Sequence, residues 1–121
     1  MGATVLYIED NPDNMLLVRR ALESKGYVFI WAPTGLKGLE EIETKKPNIV
    51  LLDINLPDID GYEVARRLRA EEKYKTLPII AITANALKGD ADKALAAGCS
   101  QYMSKPINIR DLWERLSEIL K

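Results

Sequence analysis

Short apolar runs alternate along the chain with segments in which apolar residues recur at helical spacing. The runs predict five strands, at residues 5–8, 27–31, 49–52, 79–83 and 100–104. Five helices are predicted between and after them: one begun by Asn11-Pro12 and ended by Gly26, one from Gly35 to Pro47, one capped by Asp60, one at about residues 87–97, and one carrying Ile109, Leu112, Trp113, Leu116, Ile119 and Leu120. Five such βα units predict an α/β domain whose parallel sheet is covered by helices on both faces.

Two local features refine this prediction. The third predicted strand is the most hydrophobic, which is typical of a central strand covered on both faces. Asp60, followed three residues later by Glu63, indicates a capping box at the start of the third helix. Arg66, Arg67 and Arg69 are interpreted as a solvated helix face. Glu63 precedes Arg67 by one helical turn, which favours an ion pair between these two residues on that face.

Composition limits the classes of protein to which the chain can belong. It has 121 residues, of which 47% are hydrophobic and 29% charged, so we expect one globular domain over residues 1–121. It contains no apolar run long enough to span a bilayer and no secretory leader, and Cys99 is its single cysteine. These features predict a cytoplasmic protein with no membrane partner. The net charge of −1, with both signs interspersed, predicts no nucleic-acid partner.

Histidine is absent, so any chemistry must depend on other groups. The ends of the predicted strands supply them: Glu9 and Asp10 follow the first strand, Asp53 ends the third, Thr83 closes the fourth, and Lys105 follows the fifth. The carboxyl ends of parallel strands meet at one edge of a sheet, which is where ligands bind in such folds. We therefore expect three carboxylates, a hydroxyl and an ammonium group to share one cleft.

Carboxylates that lie close together repel one another unless a cation lies between them. Oxygen ligands of this kind suit Mg²⁺, which binds one or two carboxylates together with water and phosphate oxygens. An Asp carboxylate can attack phosphorus, and a lysine and a threonine hydroxyl can hold phosphoryl oxygens. The residue set therefore predicts phosphoryl transfer onto Asp53, with Lys105 and Thr83 beside it.

Each candidate also has a plainer structural explanation. Asp10 is suited to cap the first helix, Thr83 to be an ordinary strand residue, and Lys105 to be a solvated lysine. Their joint placement around Asp53 favours function for all three. Tyr102 lies in a predicted strand, where an aromatic residue is usually part of the core. Cys99 has no activating neighbour in sequence and is interpreted as structural.

These motifs together resemble the receiver domains of two-component response regulators over nearly the whole chain. The matching residues are Glu9-Asp10, Asp53 in Asp-Ile-Asn-Leu-Pro-Asp-Ile-Asp-Gly, Thr83-Ala84, Tyr102 and Lys105-Pro106. The resemblance implies a flavodoxin-like (βα)5 fold with strand order 2-1-3-4-5. It also implies that the protein is a signalling phosphoacceptor that catalyses only its own phosphorylation and slow dephosphorylation.

The resemblance assigns a role to each site residue. Asp53 would be the phosphoacceptor. Mg²⁺, or Mn²⁺ in its place, would bind Asp10, Asp53 and the backbone carbonyl of Asn55, with Glu9 reaching the ion through water.

A second group of residues would act on the phosphoryl group or respond to it. Thr83 and Lys105 would hold its oxygens, and the small Ala84 would leave room for the donor. Tyr102 would turn inward as Thr83 shifts, and the bond before Pro106 would be cis.

The partners follow from the same resemblance. The donor would be a phosphohistidine on a histidine kinase or a histidine phosphotransfer protein. A downstream protein, or a second copy of the chain, would bind the surface of the last two helices and the fifth strand. The last predicted helix reaches Lys121, so we expect no output domain. Either a stand-alone regulator or a receiver taken from a larger protein such as a hybrid kinase would fit.

Three other functions compete with the receiver. A cofactor domain of Rossmann or flavodoxin type would need a Gly-rich or Ser/Thr-rich loop after the first strand, where this chain has Glu-Asp-Asn-Pro-Asp. A phosphatase-like hydrolase with an aspartyl nucleophile would need a carboxylate two residues after Asp53, where Asn55 lies, and Asn85 offers none either. A module without chemistry would not need the full set of site residues.

Overall fold

The structure is a computed structural model that describes residues 2–84 and 89–120. Its strands are β1 (Thr4–Ile8), β2 (Val28–Ala32), β3 (Ile49–Asp53), β4 (Ile79–Thr83) and β5 (Gln101–Ser104). Its helices are α1 (Pro12–Glu23), α2 (Gly35–Lys45), α3 (Gly61–Arg69), α4 (Asp90–Ala97) and α5 (Ile109–Ile119), with a 3₁₀ turn at Glu72–Tyr74. The first residues predicted for the fourth helix, 87 and 88, and also Asn85, lie outside the described residues.

The five strands form one parallel sheet in the order β2-β1-β3-β4-β5. This confirms the α/β fold and the strand order that the resemblance implied. The direction in which strands are added reverses between β1 and β3. The chain places β2 on one side of β1 and then returns to place β3 on its other side. Ligands bind at such a reversal in open α/β sheets, because the loops after the two strands separate there. Asp53 ends β3 at this point.

The sheet is covered on both faces by apolar side chains. All five residues of β3 are buried, which confirms it as a central strand. One core lies under α2, α3 and α4, and it includes Leu6, Leu52, Val64 and Ala94. The other lies under α1 and α5, and it includes Tyr7, Leu22, Leu51, Leu112 and Leu116. Alternate residues of β1 and β3 serve the two cores, as the period of two in a strand requires. None of the helices in the described part of the chain is long and apolar enough to cross a membrane.

The helix starts explain how the site loops are fixed. Asn11 caps α1 by accepting hydrogen bonds from the backbone nitrogens of Asp13 and Asn14, at 2.8 and 3.1 Å. Pro12 occupies the first turn, where its missing N–H is tolerated. Together they begin α1 immediately after the acidic pair and so set the direction of that loop.

The start of α3 differs in part from the capping box that the sequence predicts. Asp60 does cap the helix, accepting from the backbone nitrogen of Glu63 at 2.9 Å. The Glu63 carboxylate, however, accepts from Arg66 and from Arg67, the latter at 2.9 Å. Two guanidinium groups one turn further along draw the carboxylate away from the helix start. The predicted Glu63–Arg67 ion pair is confirmed.

Arg69 is not part of the solvated face, and the prediction for this residue was wrong. Its side chain is half-buried and donates to the backbone oxygens of Gly98 and Tyr74, at 2.8 and 2.6 Å. Both oxygens lie outside α3, one in the following 3₁₀ turn and one 29 residues away, so the pattern of α3 alone gives no sign of them. Arg69 therefore connects α3 to the 3₁₀ turn and to the loop before β5.

The remaining differences are at strand ends. β2 begins at Val28, because the backbone nitrogen of Tyr27 is hydrogen-bonded to Leu22 at 3.2 Å in the turn that leaves α1. Gly26 in this turn has φ +85°, which glycine adopts without steric cost. β5 begins at Gln101, one residue later than predicted.

Candidate functional site

Lys105 identifies the residues that the fold brings together. Its ammonium nitrogen lies 3.1 Å from Oδ2 of Asp53 and 3.2 Å from Oε1 of Glu9. Its backbone nitrogen donates to the carbonyl oxygen of Thr83 at 2.9 Å, which fixes the loop after β5 against β4. Four residues from the ends of four strands therefore lie around one point, as the parallel sheet predicts.

The carboxylates form a compact group at this point. Glu9, Asp10 and Asp53 each offer an oxygen atom, and these atoms lie within 4.8 Å of one another. Glu9 and Asp53 are buried, whereas Asp10 is exposed. One side of the group is thus enclosed by protein and the other is open to solvent.

Glu9 is held by more donors than the sequence indicates. The Tyr7 hydroxyl donates to its Oε1 at 2.9 Å, and the side-chain amide of Asn14 donates to the same oxygen at 3.2 Å. The backbone nitrogen of Asn11 donates to Oε2, also at 3.2 Å. With the Lys105 ammonium, these groups solvate a carboxylate that is fully buried. A buried charge without such partners would cost several kcal/mol.

The backbone of the acidic pair is also fixed. The indole nitrogen of Trp31, at the end of β2, donates to the carbonyl oxygen of Glu9 at 2.6 Å. Tyr7 and Trp31 were interpreted from the sequence only as strand residues. The signal that could have located Tyr7 is its separation of two residues from Glu9, because that separation places both side chains on one face of a strand. No comparable signal exists for Trp31.

The electrostatics of the group follow from burial and proximity. Burial raises the pKa of Asp53 to about 6, and the neighbouring Glu9 adds to this rise while Lys105 opposes it. Burial would also raise the pKa of Glu9, but hydrogen bonds from protonated Asp53, Asn11 and Tyr7 lower it to about 2. At mildly acid pH the two carboxyl groups therefore bind one proton between them, and Asp53 carries it.

Lys105 retains its proton at this site. Burial lowers the pKa of its ammonium group, but the Asp53 and Glu9 carboxylates outweigh that effect and raise it. One cation thus faces two buried anions, and the exposed Asp10 adds a third negative charge. The group has spare capacity to bind a cation through hard oxygen ligands.

Further predicted site residues surround the group. Asn55 donates its backbone N–H to Oδ1 of Asp53 at 3.1 Å, and its side chain is exposed. Thr83 is buried, and its hydroxyl donates to Oδ2 of Asp90 at 2.9 Å. Ala84 is exposed at the end of β4, and the Lys105–Pro106 peptide bond is cis.

Tyr102 lies on β5 with 39% of its surface exposed. Its side chain is therefore at the surface and outside both cores, in contrast to the usual position of an aromatic strand residue.

Comparison with known proteins decides between the functions that such a site permits. A family model described as the response regulator receiver domain matches residues 5–117. The chain belongs to this family. It is 38% identical over 120 residues to the polar-differentiation response regulator DivK of Brucella ovis, a match that covers 99% of this chain and 98% of that protein. The receiver domain is thus a signalling domain of two-component systems.

Solved structures agree with this assignment. The receiver domain is 36% identical to that of a sensor histidine kinase from Pseudomonas aeruginosa, with a TM-score of 0.91 and full coverage of both chains. That protein was crystallised with a magnesium ion coordinated in the active-site cleft. A CheY-like receiver domain protein from Methanospirillum hungatei is 31% identical, with a TM-score of 0.89, over 99% of this chain and 94% of that one.

Proposed function

We propose that this receiver domain accepts a phosphoryl group on Asp53 from a phosphohistidine of a histidine kinase or a histidine phosphotransfer protein. The observation that carries the proposal is the Asp53 carboxylate itself, buried at the end of β3 and held 3.1 Å from the Lys105 ammonium in a group of acidic residues. We treat residues 1–121 as one such domain, in the cytoplasm. Membership of the receiver family favours this function over an aspartyl phosphatase.

The donor atoms fit a magnesium ion. Three carboxylates have oxygens within 4.8 Å of one another. Burial and the neighbouring Glu9 raise the pKa of Asp53, and a divalent cation at this point would favour its charged form. Asp10, Asp53 and the backbone carbonyl of Asn55 would hold the ion, with Glu9 acting through water, and Mn²⁺ would satisfy the same ligands. Such an ion supplies charge neutralisation for phosphoryl oxygens.

The residues of the chain have distinct tasks in the transfer. A carboxylate oxygen of Asp53 forms a bond to phosphorus while the P–N bond of the donor breaks and its imidazole leaves. The Lys105 ammonium group, which already contacts Asp53, binds one phosphoryl oxygen. The Thr83 hydroxyl donates a hydrogen bond to another. The exposed, small Ala84 leaves the approach to Asp53 open.

The same site is poorly equipped for rapid hydrolysis. Asn55 occupies the position two residues after the nucleophile, and an amide cannot take a proton from water. We therefore propose that the domain catalyses its own phosphorylation and only slow dephosphorylation. Asp53 stores the phosphoryl group for longer than a phosphatase would.

The approach of the donor is favoured on the α1 side of the site. A hollow of about 280 Å³ opens beside Lys105 and is lined mainly by apolar atoms, including those of Leu17, Pro106 and Ile107. Leu16 and Leu17 are 39% and 54% exposed. We propose that an apolar helix face carrying the donor histidine packs here, because burying such side chains stabilises a complex.

The signal leaves the domain through a second surface. We propose that Thr83 moves toward the phosphoryl group and that Tyr102, now partly exposed, turns inward in response. This change would alter the surface of α4, β5 and α5, where a downstream protein or a second copy of the domain would bind.

Labelling by a small phosphodonor such as acetyl phosphate tests the proposal. We expect phosphorylation of the wild type only when Mg²⁺ is present and no labelling of Asp53→Asn. Asp58→Asn is a matched control, because Asp58 lies in the same loop but binds the backbone nitrogens of Gly35 and Leu36. Labelling of Asp53→Asn, or an unlabelled wild type, would contradict the proposal.

A further inference from the structure

A hydrogen bond at the start of α4 links the candidate site to the surface proposed to signal. The hydroxyl of Thr83 donates to Oδ2 of Asp90 at 2.9 Å, and Asp90 is the first residue of α4. Thr83 directly follows Ile82, which pairs with Asp53 on the neighbouring strand. The residue that would hold a phosphoryl oxygen is therefore bound to the residue that begins the helix.

A threonine hydroxyl has one hydrogen to donate. While that hydrogen lies on Asp90, it is unavailable to a phosphoryl group on Asp53. Binding of the phosphoryl group by Thr83 thus requires the bond to Asp90 to break.

Among the described residues, the start of α4 has no side chain that caps it, unlike the starts of the other four α-helices. Side chains cap α1, α2, α3 and α5, namely those of Asn11, Thr34, Asp60 and Asn108. The corresponding residue of α4 is Gly89, which has no side chain to offer and has φ +88°. Loss of the Thr83–Asp90 bond therefore removes a side-chain hydrogen bond between α4 and β4 at a helix start that has no side-chain cap.

A second partner for Asp90 is close by. The hydroxyl oxygen of Tyr62 on α3 is buried and makes no hydrogen bond of normal geometry to the described residues. Burial raises the pKa of Tyr62, and the nearby Asp90 carboxylate adds to the rise. A small rotation of Asp90 would turn this proximity into a hydrogen bond of normal geometry, which would stabilise the buried hydroxyl.

We propose that Asp90 is a regulatory latch that competes with the phosphoryl group for the Thr83 hydroxyl and passes to Tyr62 when the phosphoryl group binds. This inference rests on the proposed role of Asp53. It assigns the unphosphorylated state a specific bond, Thr83–Asp90, and the phosphorylated state another, Tyr62–Asp90. The exchange moves the first turn of α4 from β4 toward α3.

The affinity for beryllofluoride, a stable phosphoryl analogue, measures the latch in the presence of Mg²⁺. Calorimetry should show about tenfold tighter binding by Asp90→Ala, since a hydrogen bond to a charged group contributes on the order of a tenfold change in an equilibrium. Asp92→Ala removes the same charge from an exposed site in the same helical turn and should change the affinity less than about twofold. Tyr62→Phe should weaken binding by about threefold, because it removes the alternative partner.

Combination with Thr83→Val separates the hydrogen bond from simple charge. In that background, Asp90→Ala should have less than about a twofold effect. Equal effects of Asp90→Ala and Asp92→Ala, or an undiminished effect of Asp90→Ala beside Thr83→Val, would overturn the latch. A wild type that fails to bind beryllofluoride would instead overturn the role of Asp53, and the latch with it.

Hydrogen exchange gives a readout that needs neither metal nor analogue. In metal-free protein, Asp90→Ala should speed amide exchange in the first turn of α4, because its attachment to β4 is lost. Asp92→Ala should leave exchange there close to that of the wild type. Unchanged exchange in Asp90→Ala would show that the bond does not hold the helix, which contradicts the proposal.

Discussion

Replacement of Asp53 by asparagine should stabilise the metal-free receiver domain at neutral pH, although it removes the proposed phosphoacceptor. In the wild type, Asp53 and Glu9 are buried side by side, and burial raises the pKa of Asp53 to about 6, against an ordinary value of 3.8. The folded protein therefore binds a proton on Asp53 over a pH range in which the unfolded chain has lost it. Asparagine has nearly the shape of the protonated carboxyl group and carries no charge to desolvate.

The magnitude follows from the raised pKa. A tenfold change in a protonation equilibrium corresponds to about 1.4 kcal/mol, so the difference between 3.8 and about 6 corresponds to about 3 kcal/mol at most. Glu9 titrates with Asp53 and Lys105 loses a charged partner in the variant, so we expect a gain of about 1–3 kcal/mol. In a domain of this size that is a rise in Tm of about 4–12 °C.

The pH dependence has a definite sign. Because the folded-state pKa is raised, the contribution of protonated Asp53 is present below the ordinary pKa and is lost as pH rises through about 6. Thermal unfolding with a chelator should therefore show wild type and Asp53→Asn close together near pH 4. The variant should be clearly more stable at pH 8. Saturating Mg²⁺ should then stabilise the wild type, with little effect on the variant.

Two results would contradict a raised pKa of Asp53 as the cause. If the variant were less stable than the wild type at pH 8 without metal, the buried carboxylates would not repel as the geometry requires. A difference in Tm that is the same at pH 4 and pH 8 would show that protonation of Asp53 is not its cause. Asp58→Asn serves as the control, since the hydrogen bonds that Asp58 accepts from Leu36 and Gly35 lower its pKa, so this exchange should destabilise the protein.

Three further substitutions test separate parts of the site and fold. Tyr7→Phe removes a buried hydrogen-bond donor to Glu9, so it should lower the free energy of unfolding in urea by about 1 kcal/mol. It should also weaken Mg²⁺ binding severalfold, as measured by calorimetry. Unchanged Mg²⁺ binding would contradict a role for Tyr7 in positioning Glu9. Lys105→Met should slow labelling by acetyl phosphate by about 10²-fold while Mg²⁺ still binds. An equal loss of labelling rate and of Mg²⁺ affinity would contradict the proposal that Lys105 binds a phosphoryl oxygen. Arg69→Met should reduce the free energy of unfolding by about 2–3 kcal/mol, since two carbonyl oxygens lose a charged donor, and should leave the rate of labelling by acetyl phosphate unchanged. An equally stable variant would contradict a role for Arg69 in connecting α3 to the 3₁₀ turn and to the loop before β5.

Much of the fold could be predicted because the hydrophobic pattern is local. The period of two in the strands and the longer period in the helices determine which faces are buried, and the parallel sheet then places Glu9, Asp53, Thr83 and Lys105 at one edge. The order of the strands came from the resemblance, since periodicity does not specify neighbours. The boundaries were less exact, because Tyr27 belongs to a turn whose hydrogen bond forms only in the folded chain.

Most of the contacts that sequence reasoning missed join residues of different elements. Trp31 contacts Glu9 through a backbone oxygen, and Arg69 reaches the carbonyl oxygens of two loops. Backbone oxygens are present at every position, so no residue pattern marks the ones that will be used. Asp90 was likewise only one acidic residue in a predicted helix, and its bond to Thr83 depends on how α4 packs against β4.

The most direct test of the central claim is to locate the phosphoryl group itself. The receiver domain would be incubated with a phosphorylated histidine phosphotransfer protein and Mg²⁺, and its peptides analysed by mass spectrometry. We expect a phosphoryl group on Asp53 that is absent when a chelator replaces the metal. A phosphoryl group on Asp10, Asp58 or any other residue, with Asp53 unmodified, would contradict it.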